Sequence, residues 1–172
     1  MTEKLAYINY PKTIDISLTG ACQLDCPWCW GEKHTVGVKH NAETWKKLLY
    51  NFQSVGTSAI MFTDVEPHLA NFLPEVLKYA KESLHLRTTL STNSILLAKL
   101  HEKILPWVDD LGISLDGSTP EINKIMRPGK IDNYDIVIDA IKMVQKTYPK
   151  IDLTIRTVIA KPNIDDVKNI PQ

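Results

Sequence analysis

The feature that most constrains the fold of this 172-residue chain is a repeated switch between two apolar periods. Short runs typical of β-strands cover residues 14–18, 58–62, 86–90, 111–115 and 153–159. Between them, apolar residues recur at helical spacing, in stripes over residues 45–52, 73–80, 97–104 and 137–144. Asn41 is placed to cap the first of these helices. Strands that alternate with helices predict an α/β fold with a parallel sheet.

Two architectures fit this order of elements: a doubly wound open sheet, or a (β/α) barrel in part or whole. In both, ligands bind beyond the carboxyl ends of the strands. The chain places its most distinctive segments directly after predicted strands, at residues 22–29, 66–67, 91–93, 114–117 and 161–163. These segments are therefore predicted to meet in one site.

All three cysteines, Cys22, Cys26 and Cys29, lie in one eight-residue CxxxCxxC segment. Three thiolates this close in sequence can hold one metal centre. A structural zinc ion needs four protein ligands and a cubic iron-sulfur cluster offers four irons. The three cysteines therefore need a fourth partner or leave one position open; His34, five residues after Cys29, is the candidate fourth zinc ligand.

Composition narrows the functional class. Apolar residues make up 44% of the chain and charged residues 23%, which is typical of one globular domain. Twenty basic and twenty acidic side chains give no net charge, and no stretch gathers five like charges, so a nucleic-acid or anionic-membrane surface is not indicated. No apolar run approaches the ~18 residues of a membrane span. An odd number of cysteines in one loop argues against a disulfide framework, and a cytoplasmic location is predicted.

An aromatic residue, Trp28, stands directly before the last cysteine, Cys29. With this spacing, the segment resembles the cluster loop of the radical S-adenosylmethionine (radical SAM) superfamily. The resemblance implies that Cys22, Cys26 and Cys29 hold a [4Fe-4S] cluster whose fourth iron is chelated by S-adenosylmethionine (SAM). It also implies reductive cleavage of SAM to a 5′-deoxyadenosyl radical that abstracts hydrogen from a peptide or small-molecule substrate, with an electron donor such as flavodoxin or ferredoxin. Trp28 would shield the cluster or pack near the adenine; simple loop packing is the alternative.

Two further segments resemble SAM-binding motifs of this superfamily. Glu66 and Pro67 match the end of a Gly-Gly-Glu-Pro motif that receives the methionine amino group, whereas Asp64 and Val65 replace its glycines, which permit positive φ. Alternatively, a Glu-Pro pair is ordinary at the start of a helix. Thr92 and Asn93 resemble part of a Thr-Asn-Gly motif, with Ser94 in place of glycine, and suit ribose or carboxylate contacts; such residues also cap helices.

Residues 113–117 resemble the fourth-strand signature of the peptide-modifying and sulfatase-maturing (SPASM/twitch) branch. Ser114 and Asp116 share one side of the strand by its two-residue period, which suits contacts to the carboxylate and ribose of SAM. The resemblance further implies that Arg127 pairs with a carboxylate of SAM or substrate, and that Asn163 lies near adenine or ribose. Arg156 is a candidate to project into a barrel, where a charged group needs a partner.

The resemblance implies a partial (β/α)6 TIM-like barrel. The chain supplies about five βα units, and a further helix is expected from Ile164. Residues 1–172 are therefore expected to be a radical SAM core domain that stops before the last strand. Two alternatives stay open: a zinc-stabilised α/β binding module without catalysis, and a degenerate member that uses its cluster for electron transfer or assembly.

Overall fold

In the computed structural model, which describes residues 10–29, 40–63 and 65–170, five strands form one parallel sheet. The strands are β1 (Thr13–Ile16), β2 (Ala59–Phe62), β3 (Arg87–Thr92), β4 (Asp110–Ser114) and β5 (Asp152–Arg156). They lie side by side in sequence order, and each neighbouring pair is parallel. A doubly wound sheet reverses its strand order at a switch point, whereas a barrel keeps it. The order therefore selects the partial barrel of the two predicted architectures.

The helices cover one face of this sheet. They are α1 (Ala42–Ser54), α2 (Leu73–Lys78), α3 (Leu97–Ile104), α4 (Pro120–Met126) and α5 (Tyr134–Thr147). Asn41 caps α1 as predicted, because its Oδ1 accepts a hydrogen bond from Thr44 N at 3.0 Å. In the described part of the chain, no helix is long and apolar enough to cross a membrane.

The hydrophobic core lies between the helices and the outer face of the sheet. Alternate strand residues such as Ile60, Phe62, Leu90 and Leu111 are fully buried there. They pack against fully buried helical residues that include Leu49, Leu73, Leu77, Leu97 and Val137. Burial of each such side chain contributes roughly 1.5–3 kcal/mol, so this face supplies most of the stability.

The opposite, inner face of the sheet carries polar and small residues. Because residues paired in register point to the same side, one row joins Asp15, Met61 and Thr89, and later rows join Ser91 with Gly112 and Ser114 with Arg156. A parallel sheet covered by helices on both sides would be apolar on both faces. The polar inner face therefore fits a barrel interior that receives a ligand.

The observed elements differ from the predicted ones at several positions, and three of these differences bear on the site. β3 extends to Thr92, so Ser91 and Thr92 belong to the strand instead of the loop after it. β5 ends at Arg156, three residues earlier than predicted, because Val158 N turns to donate to Asp116 Oδ1 at 2.8 Å. Helix α4 was missed although Thr119 caps it and Pro120 occupies its first turn, a recognisable start signal.

The helix expected from Ile164 does not form within the described residues. The chain makes turns there, followed only by a 3-10 turn at Val167–Asn169. The carboxylate of Asp166 instead accepts hydrogen bonds from the backbone N and the hydroxyl of Ser118. These bonds tie the segment to the loop between β4 and α4.

Candidate active site

A cavity of about 270 Å³ opens at the carboxyl ends of the strands, where the sequence predicts the site. Eight predicted site residues line it: Cys26, Trp28, Cys29, Thr92, Asn93, Ser114, Asp116 and Arg127. Four others lie outside its lining: Cys22, Glu66, Pro67 and Asn163. The structure thus brings the cysteine loop together with the ends of β3 and β4 and with the segment after α4.

The cysteine loop is held against the segment that follows α4. Asp25 N donates to Pro128 O at 2.6 Å, and the Trp28 indole Nε1 donates to Met126 O at 3.0 Å. A β-bridge joins Leu24 to Gly129, where an added Cβ would lie 2.8 Å from Leu24 Cδ2. Trp28 therefore helps to dock the loop, and it also lines the cavity with 37% of its surface exposed.

The sulfur of Cys22 receives two N–H groups. Leu24 N donates to Cys22 Sγ at 3.4 Å, and Asn93 Nδ2 donates to the same sulfur at 3.6 Å. Asn93 Nδ2 also lies 3.1 Å from Gln23 Oε1. The cysteine loop is therefore held at the end of β3 as well as by the segment after α4. Donors of this kind stabilise an anionic sulfur and tune the potential of iron-sulfur clusters.

The donor set fits an iron-sulfur cluster. Cys26 and Cys29 line the cavity, and Cys29 N donates to Cys26 O at 3.1 Å in a tight turn. Among the residues that the structure describes, no three His, Cys, Asp or Glu side chains converge as ligands of a single metal ion. Cysteines that bind a cluster each take a different iron. His34, the predicted fourth zinc ligand, lies outside the described residues.

Glu66 lies beneath the cavity wall, with none of its surface exposed. Its Oε1 accepts from Thr92 Oγ1 at 2.9 Å and lies 2.8 Å from His68 Nδ1, and its Oε2 accepts from Asn93 N at 2.8 Å. Pro67, also buried, begins the 3-10 turn that follows. Glu66 therefore fixes the end of β3, while contact with the amino group of SAM stays a prediction.

Two residues of this chain stand where the Gly-Gly-Glu-Pro and Thr-Asn-Gly motifs have glycine, and both have a left-handed backbone. Val65 has a φ of 45° and Ser94 a φ of 66°. Residues with a Cβ reach this region at a cost of roughly 1–2 kcal/mol, and for a β-branched residue such as Val65 it is a true outlier. Both turns thus adopt a left-handed backbone without glycine. Asp64, the other replacement, lies outside the described residues.

Asp116 joins three elements at the cavity. The residue is only 1% exposed. Its Oδ2 accepts a hydrogen bond from Arg127 Nη1 at 2.9 Å, and its Oδ1 accepts one from Val158 N. Its backbone N donates to Asn123 Oδ1 at 3.1 Å. Asn163 Nδ2 donates to the carbonyls of Asp116 and Val158, each at 2.8 Å. Asn163 thus holds the backbone of two residues in the cavity wall without lining the cavity itself. The guanidinium of Arg127 is already paired with the carboxylate of Asp116.

Sequence reasoning missed a buried chain of amide groups behind the site. Asn133 Nδ2 donates to Asn93 O at 3.1 Å, and Asn123 Nδ2 donates to Asn133 Oδ1 at 3.1 Å. With the bond from Asp116 N to Asn123, this chain connects the Cys22 anchor to the Arg127 ion pair. The sequence analysis did not find this chain, because Asn123 lies on helix α4, which was not predicted.

The loop between β4 and α4 depends on close backbone contact. An added Cβ at Gly117 would lie 2.4 Å from the backbone N of Asn123. The adjacent Ser118 donates to Asp166 through its hydroxyl and backbone N, and these hydrogen bonds lower the pKa of the Asp166 carboxyl. Asp166 is thus ionised at neutral pH and holds the loop.

Gly117→Ala is expected to destabilise the protein by about 1–3 kcal/mol, because the backbone of α4 has to move away. Thermal unfolding followed by circular dichroism measures the loss. Gly129→Ala is the matched control: an added Cβ there would lie 2.8 Å from the flexible end of the Leu24 side chain and 3.0 Å from the nearest backbone atom, Gln23 O, compared with 2.4 Å at Gly117, so its loss should be smaller. Equal melting temperatures for Gly117→Ala and the unchanged protein would contradict the close contact.

Comparison with known proteins identifies the family. The family model described as "Radical SAM superfamily" matches residues 16–170. The chain is 30% identical over 161 residues to Fe-coproporphyrin III synthase of Methanosarcina barkeri, covering 90% of this chain and 38% of that protein. It is 30% identical over 128 residues to a probable GTP 3′,8-cyclase of Methanococcus aeolicus, covering 70% of this chain and 42% of that protein.

Among solved structures, Streptococcus suis SuiB bound to its precursor peptide SuiA superposes with a TM-score of 0.78 at 19% identity, covering 93% of this chain and 36% of SuiB. This likeness shows the shared fold. The chain therefore spans less than half the length of these relatives. The family model covers nearly all of the described residues, including the three cysteines, the last residue of β1 and all of β2 to β5. The chain belongs to the radical SAM superfamily.

Proposed function

We propose that this chain is a radical SAM enzyme in which Cys22, Cys26 and Cys29 hold a [4Fe-4S] cluster and SAM occupies the adjoining cavity. The observation that carries the proposal is the cavity itself, walled by Cys26 and Cys29 on one side and by polar residues of β3 and β4 on the other. When bound, the cluster supplies the electron for reductive cleavage of SAM and thus for hydrogen abstraction from a substrate. The zinc-module alternative is not favoured, because it does not account for these strand-end residues.

Several side chains would hold the cluster loop and the cosubstrate. Asn93 and Leu24 donate to Cys22 Sγ and so stabilise its thiolate form. Trp28 is proposed to cover the loop on its cavity side, where its ring is half-exposed. Thr92 offers a side chain whose orientation Glu66 fixes.

The Asp116–Arg127 pair suits the carboxylate and ribose of SAM. The buried Arg127 Nε has no hydrogen-bond partner among the described residues, and an unsatisfied buried donor is costly. Arg127 also lines the cavity, so its guanidinium is placed to meet a carboxylate there. Ser114, the last residue of β4, adds a hydroxyl to this wall. Asn163 is proposed to act from behind, by holding the Asp116 backbone.

Substrate, partners and location are also proposals. SuiB was solved with a precursor peptide, which supports a peptide substrate, and a small molecule stays the alternative. An electron donor such as flavodoxin or ferredoxin would reduce the cluster. Iron-sulfur chemistry suits a reducing compartment, which supports a cytoplasmic location. We also propose that residues 1–172 form one radical SAM core unit, because the family match runs without a break from the end of β1 through β5.

Anaerobic reconstitution with iron and sulfide tests the proposal. We expect about four irons per chain and an electron paramagnetic resonance (EPR) signal of the reduced protein that changes when SAM is added. Stoichiometric zinc in place of iron would support the zinc module instead. A cluster whose signal ignores SAM would point to electron transfer or assembly.

A further inference from the structure

Arg156 places an uncompensated positive charge inside the cavity. Its side chain is half-buried and lines the same cavity as Cys26 and Cys29. Its guanidinium makes no hydrogen bond or ion pair with any of the described residues. A half-buried charge without a counterion is unfavourable, so an ordered arginine in a cavity is a ready binding site for an anion.

The two carboxylates that line the cavity form no ion pair with Arg156. Asp116 is paired with Arg127 at 2.9 Å. Asp15, on β1, accepts a hydrogen bond from Thr63 Oγ1 at 2.5 Å. Arg127 and Arg156 thus differ in kind: one is paired and the other is available.

The sheet makes room for this arginine. Gly112 lies on the same face, and an added Cβ there would come 2.5 Å from Arg156 Nε and 2.9 Å from its Cδ. The side chain therefore lies across the inner face of β4, over a residue that has no side chain of its own. Register pairs Arg156 with Ser114, whose side chain lines the same cavity.

We propose that Arg156 binds an oxyanion of the substrate, a carboxylate or a phosphate, and so selects substrates that carry an acidic group close to the reacting centre. This inference rests on the proposed function. A guanidinium binds either oxyanion through two parallel N–H donors, a geometry that a lysine cannot reproduce. The carboxylate of SAM has a different candidate partner in Arg127, which keeps a buried, unsatisfied Nε.

The test is calorimetric titration of two probes, succinate and inorganic phosphate, into the reconstituted full chain saturated with SAM. One probe should bind the unchanged protein, and which one binds distinguishes a carboxylate from a phosphate. Arg156→Gln should weaken that binding at least tenfold, and Arg156→Lys should weaken it less. Iron content and SAM affinity should be unchanged in both variants.

Lys142→Gln is the matched control, because it removes one positive charge from α5, on the other side of β5. It should leave probe binding as it is. The proposal fails if neither probe binds the unchanged protein, if Arg156→Gln binds as well as the unchanged protein, or if SAM affinity falls by the same factor. Failure of the proposed function looks different, since the unchanged protein would then lack iron or a SAM-sensitive signal.

Discussion

Cys26→Ala is expected to reduce bound iron from about four atoms per chain to a small fraction of that value and to remove the SAM-dependent EPR change. Each cysteine of a three-cysteine loop binds a different iron, so no neighbouring thiolate can replace a lost one. All three cysteines of the chain lie in this loop, which leaves no spare cysteine. Iron analysis after anaerobic reconstitution measures the effect.

The fold should survive this substitution. Cys26 lies in the loop that docks on residues 126–129, whereas the core lies on the outer face of the sheet. Ser91→Ala removes a small polar group from the same cavity and should keep its iron. A Cys26→Ala protein with normal iron and a SAM-sensitive signal would show that the cluster is not held as proposed.

Most of the architecture was predictable because both periods are strong in this sequence. All five strands lie within a few residues of the predicted runs, and the predicted α/β partial barrel is confirmed by the strand order and by the structural relatives. Element ends were less predictable, since they depend on contacts distant in sequence. The end of β5 is one example, because the Asp116 carboxylate captures Val158 N across 42 positions.

The sequence predicted which residues line the site, but not which hydrogen bonds orient them. Strand ends in a parallel sheet meet at one edge, and this rule accounts for seven of the eight predicted residues that line the cavity. Arg127 follows helix α4 instead, and it was predicted from the family resemblance. Local sequence carries no sign that Thr92 and Asn93 would bond Glu66, because these partners come from the next βα unit. Nor did it show that Gly112 clears the space that Arg156 occupies.

Glu66→Ala is expected to lower the free energy of unfolding by about 3–5 kcal/mol. The substitution leaves the backbone N–H groups of Asn93 and His68 without their acceptor, and each buried unsatisfied group costs about 1–3 kcal/mol. Thr92 Oγ1 and His68 Nδ1, which lie 2.8 Å apart, lose their shared acceptor. For a chain of this length the melting temperature should fall by about 10 °C or more. Glu82→Ala, an exposed carboxylate paired with Lys78 at 3.8 Å, should change it by about a degree.

Glu66→Ala should also keep the cluster and bind SAM at least tenfold more weakly, measured well below the melting temperature of the variant. The weaker binding follows whether Glu66 contacts the amino group of SAM or only orients Thr92 and Asn93. Glu66→Gln separates the two roles, because it keeps an acceptor for Asn93 N and loses the negative charge. If charge is what SAM needs, Glu66→Gln binds SAM as weakly as Glu66→Ala while recovering part of the stability. If orientation suffices, stability and SAM affinity recover together, and unchanged SAM affinity in Glu66→Ala would refute both roles.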